Sequence, residues 1–298
     1  MVETTSDVQR VVHPPIAGVT MIHELHLPLR FVNRSLVPWQ GSREIDAPIT
    51  IRHVVADGDV SGFEQTLDTQ PWQTFYRDDE GRTAVRFHAI NEWIPAATLR
   101  TVRQGELYEL RYATPPEGEV DNRGRDQLVL TIALPARRRG VMVHSCGIRM
   151  PSGHILLCPG VSGRGKSTLA RLVQQSKSRL TLLSDDRCIV TEDDGQLRAW
   201  GTPWPGDANA ASEADGPLAA ILLIGRKADV RLLRALPSDM AHVLLETVVL
   251  PLWDTELLDS TLELVDRLTR STPVYFFDYP TDPKSADWLF EQFRDVVK

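Results

Sequence analysis

The chain has 298 residues, of which 42% are hydrophobic and 24% charged, so a packed globular core of one large domain or two ordinary ones is expected. A net charge of −7 disfavours a nucleic-acid-binding surface, since such domains are usually basic. The three cysteines, Cys146, Cys158 and Cys188, lack CxxC spacing and an accompanying histidine cluster. This pattern disfavours a disulfide framework and a structural zinc site.

The sequence also indicates where the protein works. Its first residues lack the basic segment and apolar run of a signal peptide, and no stretch approaches 18 uninterrupted apolar residues. Three scattered thiols fit a reducing compartment. We therefore expect a cytoplasmic protein without a membrane span.

Residues 1–139 are predicted to form a β-rich N-terminal region whose role the sequence does not assign. The first 20 or so residues read as a loose start, and His23-Glu24-Leu25-His26 reads as surface strand or loop because it does not fit the HExxH zinc motif. Apolar and β-branched runs predict strands, and a helix follows. These elements are a strand over 49–55, a hairpin of 75–77 and 83–87, a strand over 107–112 and a helix over 127–139.

Residues 140–298 are predicted to form a second domain of the α/β or α+β class. Ser238 and Asp254 are predicted to cap two helices in it. The predicted strands cover 141–150, 154–158, 180–183, 188–191, 196–200, 219–224 and 274–277, and the predicted helices include 166–176 and 285–298.

A phosphate-binding motif lies between a predicted strand and a predicted helix. Gly160-Val161-Ser162-Gly163-Arg164-Gly165-Lys166-Ser167, followed by Thr168, fits G-x-x-x-x-G-K-[ST] at every fixed position. Glycines let the backbone N–H groups converge on phosphate oxygens, and Lys166 adds a positive charge at the β- and γ-phosphates. The Ser167 hydroxyl is a suitable ligand for Mg²⁺. The sequence therefore predicts a site for a nucleoside triphosphate and Mg²⁺.

Two adjacent carboxylates follow the next predicted strand. Asp185 lies nineteen positions beyond Lys166, and Asp186 comes directly after it. Strand C-termini of an α/β sheet face the same crevice as the P-loop. One carboxylate there can bind Mg²⁺, and the other can accept the proton of an attacking hydroxyl.

His144 lies on the strand that precedes the P-loop strand. If these strands pair, His144 lies close to the phosphates and could bind a metal or contact the acceptor. A lone histidine in a strand is also commonly a satisfied core residue. The residues alone leave both interpretations open.

These segments resemble a known family. Val141-Met142-Val143-His144-Ser145-Cys146-Gly147, the P-loop and Leu183-Ser184-Asp185-Asp186 look like the catalytic domain of HPr kinase/phosphorylase, which is itself similar to the core of ATP-dependent phosphoenolpyruvate carboxykinase. Trp200-Gly201-Thr202-Pro203-Trp204-Pro205-Gly206 looks like a segment of HPr-kinase-like proteins, some of which resemble the kinases of peptide-modifying gene clusters. The resemblance covers roughly residues 140–280.

The resemblance implies a P-loop kinase domain over 140–298 and ATP as the nucleotide. It implies that Lys166 and Ser167 serve ATP and Mg²⁺, that Asp185 or Asp186 is metal ligand and catalytic base, and that His144 lies beside them. Thr168 stands where HPr kinases usually carry an acidic residue, and their second signature region is not found. The resemblance therefore does not extend to a hexamer or to HPr as the acceptor, and a homo-oligomer is left open.

Three residues are candidates for the acceptor side of the site: Trp204, Asp207 and Arg226. The alternative for the tryptophan segment is a rigid Pro-Gly loop that packs its two tryptophans into the core. Arg226 follows an apolar strand, where a solvated strand end is the common case.

The expected function is ATP- and Mg²⁺-dependent phosphoryl transfer to a hydroxyl, on a serine of a peptide or protein or on a small molecule. One alternative is a nucleotide-binding switch or scaffold that transfers nothing. Another is phosphoenolpyruvate carboxykinase chemistry, which needs further basic residues for a carboxylate substrate. Neither nucleic acid nor membrane is expected as a partner.

Overall fold

The computed structural model describes residues 2–5, 8–31, 39–41, 44–69, 72–91 and 94–294, which form a mixed α/β protein. The chain divides into two compact units: unit 1 is Met1–Arg138 with Pro251–Ser260, and unit 2 is Arg139–Leu250 with Thr261–Lys298. The first break lies one residue from the boundary that the sequence predicts. Residues 251–260, which the sequence places in the second domain, belong to unit 1 instead.

Unit 1 is built on a nine-stranded sheet with the order β1-β2-β3-β5-β10-β9-β8-β7-β6, and β4 pairs separately with β11. Helix α1 (Arg123–Ala136) lies on this sheet and places Arg125 over the rings of Phe87 and Tyr112. The strands are β1 (Val2–Thr5), β2 (Val8–Ile16), β3 (Val19–Leu25), β4 (Arg30–Phe31), β5 (Asp46–Val55), β6 (Phe63–Thr69), β7 (Gln73–Asp78), β8 (Thr83–Phe87), β9 (Ala97–Arg103), β10 (Leu107–Tyr112) and β11 (Glu119–Val120).

The hairpin, the two strands and the helix that apolar patterns predict in unit 1 are present in the structure. The predicted hairpin forms between β7 and β8, and the predicted strands at 49–55 and 107–112 are β5 and β10. Helix α1 starts four residues earlier than predicted and ends at Ala136, with Pro135 in its last turn. A proline near a helix end is tolerated less well than at its start, but here only the final turn is affected.

The predictions for the N-terminus were wrong. The first residues contain strands β1 and β2, and β2 pairs antiparallel with β3. Pro14 and Pro15 obscure β2 in the sequence, and the β2–β3 pairing is irregular between His13 and Ile16. His23, predicted to lie at the surface, is fully buried on β3.

Unit 2 is built on an eight-stranded sheet with the path β13-β12-β15-β16-β17-β19-β18, and β14 pairs with β12 off this path. β13 also pairs with β17, so β12, β13, β15, β16 and β17 form a closed circuit. The strands are β12 (Gly140–Arg149), β13 (Ile155–Pro159), β14 (Thr181–Ser184), β15 (Arg187–Asp193), β16 (Gln196–Trp200), β17 (Asp215–Arg226), β18 (Arg231–Arg234) and β19 (Val274–Tyr279).

Helices pack on both faces of this sheet. They are α2 (Lys166–Gln175), α3 (Pro237–Thr247), α4 (Thr255–Ser271), which begins in the unit 1 segment, and α5 (Lys284–Phe293). The sheet has a hydrophobic core on each face, and successive side chains of β17 pack into different ones. Ile221 packs with α3 and α4, and Leu222 packs with α2 and α5. Period-2 alternation explains this division and the nearly continuous apolar sequence of the central strands.

Of the two predicted helix caps, one is confirmed and the other is wrong. The Asp254 Oδ1 atom accepts the backbone N–H groups of Glu256 and Leu257 at 3.0 and 3.1 Å, so Asp254 caps α4 as predicted. Ser238 is not a cap, because α3 begins one residue earlier, at Pro237. The last four residues of the predicted closing helix, 295–298, lie outside the described residues.

Candidate functional site

Strand register gathers three separate segments at one end of the unit 2 sheet. In β12, Ser145 pairs with Pro159, the last residue of β13, and His144 pairs with Arg187, the first residue of β15. The Gly160 N–H donates to the His144 carbonyl at 3.2 Å, and the Ser145 N–H donates to the Asp186 carbonyl at 3.0 Å. His144 therefore lies between the start of the P-loop and the paired aspartates.

Glycine conformation shapes the P-loop between β13 and α2. Gly163 and Gly165 have φ values of +83° and +108°, which only glycine adopts without strain. A Cβ atom at Gly165 would lie 2.9 Å from the hydroxyl of Tyr279. That hydroxyl donates to the Gly165 carbonyl at 2.8 Å. This tight turn lets α2 begin at Lys166 with its N-terminus at the loop.

Gly165→Ala is expected to destabilise the protein by about 2 kcal/mol, because a side chain at positive φ is strained and its Cβ would press on the Tyr279 hydroxyl. Chemical denaturation measures the change. Gly163→Ala is the matched control, since φ is also positive there but nothing lies within 4 Å of the added Cβ. Equal losses in the two variants would contradict a specific close approach at Gly165.

Lys166 points back into the loop that precedes it. Its Nζ atom donates to the carbonyls of Gly160 at 2.6 Å and Val161 at 3.3 Å, and the residue is 5% exposed. Burial lowers the pKa of Lys166, and the negative charge of Asp186 opposes this shift. A cation is thus held at the base of the P-loop.

His144 and Asp186 form a direct pair. The His144 Nε2 atom lies 2.9 Å from Asp186 Oδ1, and Arg187 Nε lies 3.6 Å from Asp186 Oδ2. The hydrogen bond from His144 lowers the pKa of Asp186, burial opposes it, and Arg187 adds to the lowering. Asp186 is therefore a carboxylate at neutral pH, and a third of its side chain is exposed.

Asp185 has a different environment from its neighbour. It is 1% exposed, and its carboxylate accepts the backbone N–H groups of Gly206 at 2.8 Å, Ala208 at 2.6 Å and Ala210 at 3.2 Å. This corrects the expectation that Asp185 is a metal ligand and catalytic residue, because its oxygens hold the loop at 206–210. Asp186 is the aspartate of the pair that faces the cleft.

Asp185→Ala is expected to cost about 3 kcal/mol of unfolding free energy, since three backbone donors lose a charged acceptor. Urea denaturation tests this beside Asp186→Ala. The second variant should lose much less stability, because Asp186 is partly exposed and its carboxylate contacts the side chains of His144 and Arg187. A Asp185→Ala protein as stable as the Asp186→Ala protein would contradict the anchoring role.

Lys166, His144 and Asp186 line a cleft of about 560 Å³. The lining contains six charged side chains: a lysine, three arginines and two aspartates. The predicted site residues in its lining are His144, Ser162, Gly163, Gly165, Lys166, Ser167, Thr168, Asp186, Asp207 and Arg226. The cleft therefore unites most of the predicted phosphate site with the predicted carboxylate and histidine.

The remaining predicted residues lie elsewhere. Gly160, Val161 and Arg164 line a second depression, of about 540 Å³. Trp204 is 3% exposed and does not line the cleft. This corrects its assignment to the acceptor side, because Trp204, like the fully buried Trp200, packs into the interior. The core-packing alternative for the tryptophan segment describes the structure.

Sequence reasoning missed two arginines in the cleft, Arg171 and Arg187. Arg171 lies four residues beyond Ser167 on α2 and donates to the Asp207 carbonyl at 3.2 Å. Residues four apart in a helix lie on the same face, so the spacing of Ser167 and Arg171 could have predicted that Arg171 faces the cleft. Arg187 directly follows Asp186, but the direction of the Arg187 side chain depends on the pairing of β15 with β12.

No family model matches the chain, and the curated proteins contain no significant match to it. Across the parts of the chain that the structure describes, no helix has the length and apolar character needed to cross a bilayer.

Proposed function

We propose that unit 2 is an ATP- and Mg²⁺-dependent kinase that resembles HPr kinase and transfers the γ-phosphoryl group to a hydroxyl. One observation carries the proposal: a single cleft is lined by the P-loop lysine, the N-terminus of α2 and the His144–Asp186 pair. Phosphoryl transfer depends mainly on positioning and charge neutralisation, together with a group that orients the attacking hydroxyl.

The residues present fit a nucleoside triphosphate and its metal. Gly163 and Gly165 hold the loop in positive-φ turns, and space is open where a Cβ at Gly163 would lie. The N-terminus of α2 and Lys166 favour negative charge beside this loop. The hydroxyl of Ser167 is the hard oxygen ligand that Mg²⁺ prefers. Bound Mg²⁺ would supply neutralisation of the phosphate charge.

Each side chain of the cleft has its own proposed role in phosphoryl transfer. Asp186 accepts the proton of the acceptor hydroxyl while the oxygen of that hydroxyl forms a bond to the γ-phosphorus. His144, with its proton on Nε2, donates to Asp186 Oδ1 and fixes the carboxylate. Lys166 and the arginines Arg171, Arg187 and Arg226 balance the charge of the phosphates. The bond to ADP then breaks, and ADP leaves.

The acceptor is a hydroxyl of a peptide, a protein or a small molecule. About a quarter of the His144 side chain and a third of the Asp186 side chain are exposed, so an acceptor can reach the pair from solvent. Asp207 and Arg226 lie in the same lining and are proposed to contact it.

Acceptor-dependent formation of ADP tests the proposal. The full chain with ATP and Mg²⁺ is assayed against the small-molecule and macromolecular fractions of a lysate of the source cells. The proposal predicts that one fraction raises ADP formation well above the rate without acceptor. Binding of ATP without any such increase would instead favour a nucleotide-dependent switch.

A further inference from the structure

A row of buried polar side chains crosses four neighbouring strands of unit 1. The row runs from His13 on β2 through His23 on β3 and His53 on β5 to Tyr112 on β10. His13 is 7% exposed, and the other three are fully buried. Four such groups on one face of a sheet core need partners, because burying an unpaired polar group is costly.

Helix α1 places a carboxylate over one end of this row. Asp126, 4% exposed, lies with Oδ2 3.8 Å from His13 Nδ1 and with Oδ1 3.7 Å from His23 Nε2. One nitrogen or oxygen atom from each of the three residues falls within 4.8 Å of the others. The ring of Phe31 packs against both histidines, at centroid distances of 6.0 and 4.9 Å, and gives the cluster an apolar wall.

The separations within this cluster are those of ligands around an ion. Distances of 3.7 and 3.8 Å are too long for hydrogen bonds. Two ligands of a tetrahedral zinc ion with bonds of about 2.1 Å lie about 3.4 Å apart. The buried Nε2 atom of His23 has no hydrogen-bond partner among the described residues, although it points at the carboxylate.

Outer hydrogen bonds orient two of these side chains, His23 and Asp126. The Nδ1 atom of His23 lies 2.9 Å from Nε2 of His53, whose Nδ1 atom lies 3.3 Å from the Tyr112 hydroxyl. With a proton on each Nδ1, both histidines donate along this chain, and the Nε2 lone pair of His23 is free for a ligand bond. Asn122 donates to Asp126 in the same way. Such outer hydrogen bonds commonly fix metal-ligating histidines and carboxylates.

The electrostatics of the pocket agree with this arrangement. Burial lowers the pKa of His13 to about 4 and that of His53 to about 3, so these imidazoles are neutral, and it also lowers the pKa of His23. Neutral imidazole is the form that binds metals. Burial raises the pKa of Asp126, and the hydrogen bond from Asn122 and the positive charge of Arg125 oppose this shift.

We propose that His13, His23 and Asp126 bind a divalent transition-metal ion, of which Zn²⁺ is the probe, as a structural centre of unit 1. Two imidazoles and a carboxylate suit such an ion better than Mg²⁺ or Ca²⁺, which prefer oxygen ligands alone. The ligands are at most 7% exposed, so the centre is closed to substrates. It ties β2 and β3 to α1.

Metal analysis of the purified full chain tests this site. After incubation with Zn²⁺ and desalting, wild type is expected to retain one ion per chain by mass spectrometry. His23→Ala and Asp126→Asn should lose most of it. His26→Ala, which removes an exposed histidine from the same strand region, and Lys166→Ala, which alters the P-loop, should retain it. Equal retention in all variants, or no stoichiometric metal in wild type, would overturn the proposal.

A second measurement on wild type avoids variants that fold poorly. Removal of metal with a chelator is expected to lower the melting temperature by about 5 °C or more, because an ion bound only by the folded state stabilises it. Zn²⁺ should restore the lost stability, and Mg²⁺ should not. Co²⁺ should bind the stripped protein and give a visible absorption band of a tetrahedral site. No change on chelation and no cobalt band would overturn the proposal.

Discussion

Lys166→Ala is expected to reduce phosphoryl transfer by about 10³-fold or more, since it removes the ammonium group that we propose neutralises the transferring phosphoryl. The lysine is 5% exposed and hydrogen-bonded to two carbonyls of its own loop, so its charge is already oriented before any ligand binds. Pre-orientation of this kind is what makes such a charge effective in a transition state. Initial rates at saturating ATP measure the effect.

Lys177→Ala is the matched control for this substitution. Lys177 is an exposed lysine just beyond α2 and does not line the cleft. Its removal should leave the rate unchanged within about twofold, as for most surface substitutions. A Lys166→Ala protein that transfers phosphate as fast as the Lys177→Ala protein would contradict the role of the P-loop lysine.

Asp186→Asn is expected to reduce transfer by about 10²- to 10⁴-fold while ATP still binds, because the amide keeps the shape of the side chain but cannot accept a proton. The carboxylate lies 2.9 Å from His144 in the cleft. Among the residues that the structure describes, no backbone N–H donates to it, whereas three donate to Asp185. The comparison of kcat with the affinity for ATP separates loss of chemistry from loss of binding.

Asp194→Asn serves as the control at a turn of unit 2, where Asp194 is exposed and adopts a left-handed conformation that asparagine tolerates. It should retain full activity. Full turnover by Asp186→Asn would remove Asp186 as the base, and since Asp185 is engaged by the loop at 206–210, a base would then have to come from the acceptor side.

Local sequence signals predicted the strand and the helix that flank the P-loop motif. The motif, the apolar strand β13 and the amphipathic helix α2 all lie within about twenty residues, so neighbouring residues alone determine them. The predicted proximity of His144 needed only one further assumption, that adjacent strands pair. That pairing places the His144 carbonyl at the Gly160 N–H.

The distinction between the two aspartates could not be predicted. Asp185 and Asp186 have the same chemistry and adjacent positions, and only the return of the loop at 206–210 decides which one is buried. The position of Trp204 depends on the same loop. Tertiary contacts of this kind leave no local pattern in the sequence.

The histidine cluster of unit 1 was missed for a related reason. Asp126 is far from His13 and His23 in the chain, and no metal-binding motif has the spacing of these three residues. Two prolines obscured β2, and α1 brings Asp126 to the histidines only through packing on the sheet. A search for metal motifs based on short spacings cannot find such a site.

Transfer of label from γ-labelled ATP tests the proposed kinase activity itself. Wild type and Lys166→Ala are each incubated with labelled ATP, Mg²⁺ and a lysate of the source cells as the acceptor pool. We expect label on a peptide, protein or metabolite with wild type only. The absence of transferred label from a wild-type protein that demonstrably binds ATP would contradict the proposed kinase activity.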